Sequence, residues 1–395
     1  MSTPRKLTTM TSSALISTRI PTKQTVVRLM NRPVGRIVPG QDLVPCIEDI
    51  PNQALKLDTD QVLVHRLYLS LDPAMRGWLN DIPSYIPPVR VGAIMRGGTI
   101  CEVIDSQHNK LQPGDLVADD SMDGGWDEYA VVPAKHCRKL EANLPENIPI
   151  TAHLSVLGIT GMTAYFGLLK VGKPQRGETI LVSAAAGATG SIVCQIAKHV
   201  ICCKVVGIAG GRTKCQWLLD EVGCDAVIDY KLANNDPKIF QKQLREALQK
   251  VDSKGFDIFF DNVGGLILNE TLRRLNVYGR VVLCGAISGY NVENATDVVP
   301  PTNYLGLIPL RAKIQGFIVT DYVRQFKEAK RNMAQWIAEG KIKFKEDIRE
   351  GLERAPEYLN DLFDGGNTGK LIVKIGERIT SSGADGDGLN PHSRL

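Results

Sequence analysis

Between Glu178 and Gly211 the chain reads ETILVSAAAGATGSIVCQIAKHVICCKVVGIAGG, a stretch whose residue types suit the binding of an anion. Thr179 to Ser183 is an apolar run of strand length. A turn of small residues follows, Ala184 to Gly190, with Ala186, Gly187, Ala188 and Thr189 inside it. Ile192, Val193, Ile196, Ala197 and Val200 then fall on one helical face. Side chains this small leave backbone N–H groups bare at a helix N-terminus, where a pyrophosphate can sit. Ala185 stands where G-x-G-x-x-G has its first glycine, so the weight of the fingerprint comes from the strand and helix around it. A second β-branched run, Lys204 to Ile208, ends at Gly210-Gly211-Arg212-Thr213-Lys214. An NAD site carries an Asp or Glu there for the ribose 2′-hydroxyl. Here no acid is present, and Lys214 is either a solvated lysine in a helix's first turn or a cation for a 2′-phosphate; the family resemblance given below favours the second, and so NADPH. Hydrogen bonds to charged groups are worth about 1.5–3 kcal/mol, enough to decide between the two coenzymes.

The elements that position this turn alternate. Thr213 to Val222 reads as a helix, Ala226 to Asp229 as a strand, and Pro237 to Val251 as a long amphipathic helix. Asp257 to Phe260 is a strand ending at Asp261-Asn262-Val263-Gly264-Gly265. Leu266 to Leu275 is a helix, and Arg280 to Cys284 a strand ending at Gly285. Tyr322 to Glu339 is a further helix. This alternation predicts an α/β fold, a doubly wound parallel sheet covered on both faces. Upstream, Thr25 to Leu29, Gln61 to Leu71, Gly98 to Ile104, Leu116-Val117 and Glu128 to Val132 are short strands between turn residues, which predicts a β-rich, partly barrel-like domain. Ser84 to Val91 is a proline-stiffened loop that cannot enter a sheet interior. The last strand, Lys370 to Ile375, is expected to return to the first domain. The expected division is a basic tail over 1–24, a β-rich domain over 25–154 and 341–376, a dinucleotide-binding domain over 155–340, and a flexible tail over 377–395.

With 395 residues, 43% apolar and 23% charged, the chain is long enough for two globular domains. A net charge of +4 is too small to imply nucleic acid, and no apolar run reaches the length of a membrane span. The nine cysteines are scattered without a C-x-x-C, as buried free thiols in a reducing compartment would be. Met1 to Gln41 holds seven basic residues and no acid; it reads as a flexible tail, with a presequence as the alternative. The other end is polar and glycine-rich and closes on Ser393-Arg394-Leu395, a close variant of the peroxisomal S-K-L address. A peroxisomal import receptor is therefore an expected partner and the peroxisome the expected location, with cytoplasm or mitochondrion as alternatives.

Five segments resemble one family in order and spacing: DPAMRG (Asp72 to Gly77), LGITGMTAYFGL (Leu157 to Leu168), AAGATG (Ala185 to Gly190), FDNVGG (Phe260 to Gly265) and CGAISGYN (Cys284 to Asn291). The chain is similar to the zinc-independent medium-chain dehydrogenase/reductases, and within them to the prostaglandin, alkenal and curcumin reductase group. The resemblance implies a Rossmann domain plus a GroES-like β domain, an active site in the cleft between them, and a homodimer. It implies Tyr230 at the adenosine end of the cofactor and Asn262 in the crevice at a strand's carboxyl end. The backbone through Cys284, Gly285, Ala286, Ile287, Ser288, Gly289 and Tyr290 would run along the nicotinamide. Phe317 and Asn367 match further cofactor-contacting positions, and Met162 and Thr163 open a helix facing the ring. For Phe317 and Met162 core packing is the alternative.

The reaction implied is NADPH-dependent reduction of the C=C bond of an α,β-unsaturated ketone or aldehyde. Hydrogen bonds at the carbonyl oxygen would stabilise the enolate. Relatives place a tyrosine after the CGAIS loop, and Tyr304 in Asn303-Tyr304-Leu305 is the nearest match. Tyr85 and Tyr290 are rivals as pocket walls, and a ribose hydroxyl or water could also donate. A zinc alcohol dehydrogenase of this fold needs a Cys and a His near an acid. The six histidines show no pairing at ligand spacing, so no metal is expected. Quinone or enoyl-thioester reduction, or cofactor binding without turnover, are the competing readings.

Overall fold

The computed structural model describes residues 20–379 except 52, 53, 55 and 141–147. Most of the basic N-terminal tail and the Ser393-Arg394-Leu395 terminus lie outside the described residues. Seven strands precede the glycine turn: β1 Lys23–Leu29, β2 Leu43–Asp49, β3 Gln61–Ser70, β4 Thr99–Ser106, β5 Leu116–Asp119, β6 Tyr129–Pro133 and β7 Cys137–Lys139. Six follow in the middle of the chain: β8 Thr179–Val182, β9 Lys204–Ala209, β10 Ala226–Asp229, β11 Phe256–Asp261, β12 Leu275–Leu283 and β13 Lys313–Gly316. The last two are β14 Glu346–Glu350 and β15 Lys370–Lys374.

The middle six form a parallel sheet in the order β10-β9-β8-β11-β12-β13. Its central strands are apolar at successive positions because both faces are covered. Ile180 and Val182 of β8 face one core, while Leu181 between them faces the other with Val206, Ile208 and Phe259. The helix Pro237–Lys250 starts where Asp236 accepts the N–H groups of Lys238 and Ile239, with a proline in its first turn. It buries Phe240, Leu244, Ala247 and Leu248 against that second core. From β8 the chain fills one side of the sheet through β9 and β10, then returns to β11 and fills the other. At the carboxyl ends of β8 and β11 the connections diverge, and a crevice opens there.

The second large sheet has the order β14-β15-β3-β4-β5-β7, with β6 on β3. After the parallel sheet the chain comes back to it, β15 pairing antiparallel with β3 and parallel with β14. Arg66 on β3 is fully buried at its centre. Its guanidinium donates to Asp127 at 2.5 Å, Asp119 at 2.8 Å and Thr99 at 2.6 Å, tying β3 to β4, β5 and the loop before β6. Taking away one carboxylate leaves a buried cation underpaid, which costs about 3–5 kcal/mol. Asp127→Ala is expected to lower the unfolding free energy by that amount in a urea melt; a loss below about 1 kcal/mol would show that the network carries little of the domain's stability.

Candidate active-site cleft

A cleft of about 1810 Å³ runs between the two domains, lined by Ser70 to Ala74 and Tyr85 on one side and the carboxyl ends of the parallel strands on the other. One drug-sized ligand needs roughly 300–1,000 Å³, so there is room for two. Its floor is the turn after β8. Ala184 sits in the left-handed region at φ 46°, a conformation that costs energy for a residue with a Cβ and is found at functional turns. Gly187 donates its N–H to the Ala184 carbonyl at 2.9 Å. Gly190 packs so closely on the same carbonyl that a Cβ would lie 2.3 Å from its oxygen. The helix Ala188–Gln195 therefore starts hard against the strand end, and its first-turn N–H groups face the cleft with no acid nearby.

The rim beside this turn is organised by Asp261, a fully buried carboxylate at the end of β11. It accepts the Ser183 hydroxyl at 2.7 Å and the N–H groups of Val263 and Gly264 at 3.0 Å. Its own carbonyl accepts the Cys284 N–H at 2.8 Å. Burial raises its pKa, and these donors oppose the rise. Asn262 is fixed in turn, its amide donating to the Ser183 carbonyl at 2.7 Å. Burial pushes the Cys284 thiol up to about 12, so it stays protonated and unreactive at neutral pH.

At the end of β9 lies a cationic corner. Lys214 donates to the Gly365 carbonyl at 2.9 Å, and Lys231 lines the same cleft. Burial, then the neighbouring Lys231 charge, lowers the Lys214 pKa, so an anion here would relieve both. The nearest strand-end acid, Asp229, is already used: it accepts the N–H groups of Gly211 and Lys231 at 2.9 and 3.1 Å. Tyr230 packs over Gly210, where a Cβ would meet the ring at 2.9 Å. Gly369 of the β-rich domain donates its N–H to the Ala186 carbonyl at 2.9 Å, and Asn367 lies in the same loop with its amide on the Gly369 carbonyl. Bare N–H groups, paired lysines and a stacking tyrosine are what a phosphorylated dinucleotide requires.

Two tyrosines face the cleft beyond this corner. The Tyr290 oxygen accepts the Ala286 N–H at 3.1 Å and packs against Gly285, and the Tyr85 oxygen accepts the Trp78 indole N–H at 3.1 Å. Each is left with its own hydroxyl proton to give. Both residues line the same cleft, and burial raises the Tyr290 pKa.

Thr163, Ala186 to Gly190, Lys214, Tyr230, Asn262, Cys284, Gly285, Ile287, Ser288, Tyr290, Phe317 and Asn367 all line this cleft, as does Tyr85. Four of the expected residues are not among those lining the cleft. Met162 is fully buried on the inner face of the helix Ile159–Phe166, whose outer face carries Thr163. Ala286 and Gly289 lie in the right loop but do not line the cleft. Tyr304 is 55% exposed and also lies outside the lining, because Thr302 and Asn303 bind Asn269 on the flank of the parallel sheet. Asp261, Lys231 and the Gly369 contact were not foreseen; of these only Asp261, in a glycine-bounded strand end, left a signal in the sequence. Among the described residues no three His, Cys, Asp or Glu side chains are grouped to hold a metal.

Lys214→Ala is expected to weaken NADPH about tenfold or more and to spare NADH in fluorescence titrations; equal losses for both would remove the lysine from the 2′-phosphate. Asp261→Ala should loosen Asn262 to Gly264 and weaken both coenzymes, with Asp261→Asn restoring part of the affinity because one acceptor oxygen remains. Full affinity in the alanine variant would show that the rim holds without the carboxylate.

A family model described as N-terminal domain of oxidoreductase matches residues 26–140, and one described as zinc-binding dehydrogenase matches residues 188–339. The chain is 40% identical over 321 residues to the NADPH-dependent curcumin reductase of Escherichia coli, covering 80% of this chain and 88% of that one. It is 36% identical over 333 residues to the NADP(+)-dependent 2-alkenal reductase of Nicotiana tabacum, covering 83% and 92%. The crystal structure of CurA in complex with NADPH from Vibrio vulnificus superposes with a TM-score of 0.79 at 36% identity, covering 89% of this chain and 99% of that one. The parallel sheet is thus the Rossmann domain and the β-rich sheet the GroES-like domain of a two-domain oxidoreductase. The chain belongs to the medium-chain dehydrogenase/reductases, in the group of the prostaglandin, alkenal and curcumin reductases.

Proposed function

We propose that this protein uses NADPH to reduce the carbon–carbon double bond of α,β-unsaturated ketones and aldehydes. The observation that carries this reading is a convergence: a bare glycine turn with a lysine corner and a pair of tyrosine hydroxyls open onto one cleft. The relatives named above as NADPH-dependent curcumin reductase and NADP(+)-dependent 2-alkenal reductase support it, as does the NADPH complex of the similar fold. Residues Ala186 to Gly190 would take the pyrophosphate, Lys214 and Lys231 the 2′-phosphate, Tyr230 the adenosine side, and Asn262 with the Gly285–Tyr290 loop the nicotinamide end. When bound, NADPH supplies the hydride.

The chain itself handles the substrate oxygen and the proton. Charge develops on the carbonyl oxygen as the double bond is reduced, and a fixed donor aimed at it lowers the barrier. Tyr290 suits this work. Its oxygen is anchored by the Ala286 N–H, and burial raises its pKa, which keeps the hydroxyl protonated through neutral pH. Tyr85, anchored by Trp78, is the second donor and forms part of the wall. Trp78, Ile86 and Leu157 complete an apolar lining that limits water around the enolate.

We further propose a homodimer through the outer edge of the parallel sheet. There β13 has one unpaired edge, and Tyr278, Tyr304, Leu305 and Ile308 are exposed nearby. Delivery to the peroxisome through Ser393-Arg394-Leu395 is likewise a proposal, supported by the tripeptide alone.

The test is a panel of enones, alkenals and quinones, followed by NADPH consumption and product mass. Saturated ketones and aldehydes are expected; coenzyme oxidation with quinones alone would overturn the reading. Tyr290→Phe should lower kcat at least about tenfold with coenzyme affinity retained, whereas an unchanged kcat would take that hydroxyl out of the mechanism.

A further inference from the structure

Lys370 on β15 lines the cleft, yet its side chain is almost entirely buried, at 2% exposure. Its Nζ donates to the Leu71 carbonyl at 2.7 Å and to Asp72 Oδ1 at 2.6 Å, just past the end of β3. The other Asp72 oxygen accepts the Ser70 hydroxyl at 2.5 Å. The proposed reaction gives neither charged side chain a task. Stability alone is a weak reason for such a pair, because apolar residues of the same shape would do as well or better in a buried place.

What the pair holds is the seat of the tyrosine wall. The Asp72 carbonyl accepts the Met75 N–H at 3.0 Å, in the first turn of the helix Ala74–Trp78. Five residues are too few to hold a helix by themselves, and no side chain caps this one. Its last residue grips the following loop twice. The Trp78 indole N–H donates to the Tyr85 oxygen at 3.1 Å, and the Trp78 carbonyl accepts the Val89 N–H at 2.8 Å. Tyr85 therefore stands where Asp72 and the short helix put it. In the other direction Lys370 follows Gly369, whose N–H binds the Ala186 carbonyl of the glycine turn at 2.9 Å. Two consecutive residues thus reach both ends of the cleft, one the turn proposed for the pyrophosphate and the other the base of the wall that carries Tyr85.

We infer that Lys370 is a positioning residue for the reduction, setting the spacing between the coenzyme turn and the Tyr85 hydroxyl. The inference rests on the enone reading and adds a residue to it. Lys370 acts through Asp72, the helix and Trp78, and not by contact with the enone. An apolar side chain in its place would free Asp72 and the Leu71 carbonyl together, and Tyr85 would lose its fixed aim at the enone oxygen. A displacement of about 1 Å in a reacting group can cost about a hundredfold in rate, so the effect falls on kcat.

The test is a double-mutant cycle with one enone and NADPH. Lys370→Met is expected to lower kcat about tenfold or more, with the NADPH dissociation constant within about twofold of wild type. Tyr85→Phe is expected to lower kcat about fivefold in the wild-type chain, and by less than about twofold where Lys370→Met is already present. A folding defect shrinks the active fraction and slows both members of a pair alike, so the ratio between them survives it. Asp72→Asn, which keeps the shape of the side chain, should reproduce the pattern and add nothing to Lys370→Met. The same Tyr85 effect in the Lys370→Met background, or a Tyr85→Phe variant as fast as wild type, would overturn the inference. So would a loss of NADPH affinity that matches the loss of kcat, since Lys370 would then serve the coenzyme alone. All of these outcomes leave enone reduction standing. Failure of the wild-type protein to reduce any enone would instead overturn the enone reading.

Discussion

The hydrogen bond from Gly369 to the Ala186 carbonyl joins the two domains at the place where both must meet. Only glycine fits at 369: φ is 75°, and a Cβ would lie 2.1 Å from the Lys345 carbonyl oxygen. The contact sets the β-rich domain against the turn proposed to receive the pyrophosphate. The same loop brings the Gly365 carbonyl to Lys214, so the corner proposed for the 2′-phosphate is framed by both domains. The proposed nucleotide site therefore belongs to the pair of domains, and the cleft between them has its width fixed at one end.

A second constraint works inside the parallel sheet. Asp261 replaces water for several backbone and hydroxyl donors at once, so the strand ends can stay open without leaving polar groups unpaired. Ser183 and Asn262 take their positions from it, and the loop carrying Tyr290 begins one residue beyond the Cys284 N–H that it binds through its carbonyl. Binding and chemistry thus meet on one rim. Small residues line the turn at one end, and a backbone and an indole N–H fix the tyrosines at the other.

The sequence disclosed the parts whose meaning is local. TILV followed by AAGATG can be read without a fold, because strand, small turn and helix are adjacent. Lys214 was legible through a missing acid nearby. The helix expected over Leu266 to Leu275 stops at Thr271, and β12 begins at Leu275, because Leu275 pairs with Phe256 across a register shift. No window of residues contains that pairing. β14, Glu-Asp-Ile-Arg-Glu, has no apolar run and exists because β15 offers it a parallel edge. Tyr304 lies outside the cleft lining for a related reason: counting along a loop gives no direction in space, and Asn269 anchors the neighbouring Asn303 on the flank of the sheet. The Gly369 contact spans some 180 positions, beyond the reach of any local reading.

Hydrogen–deuterium exchange during an NADPH titration addresses the shared nucleotide site most directly. Residues 184–190 of the Rossmann domain and 365–369 of the GroES-like domain should become protected together, with one midpoint, because one ligand closes both. Protection confined to the first segment, or absent from both while NADPH is demonstrably bound, would contradict a site built by two domains.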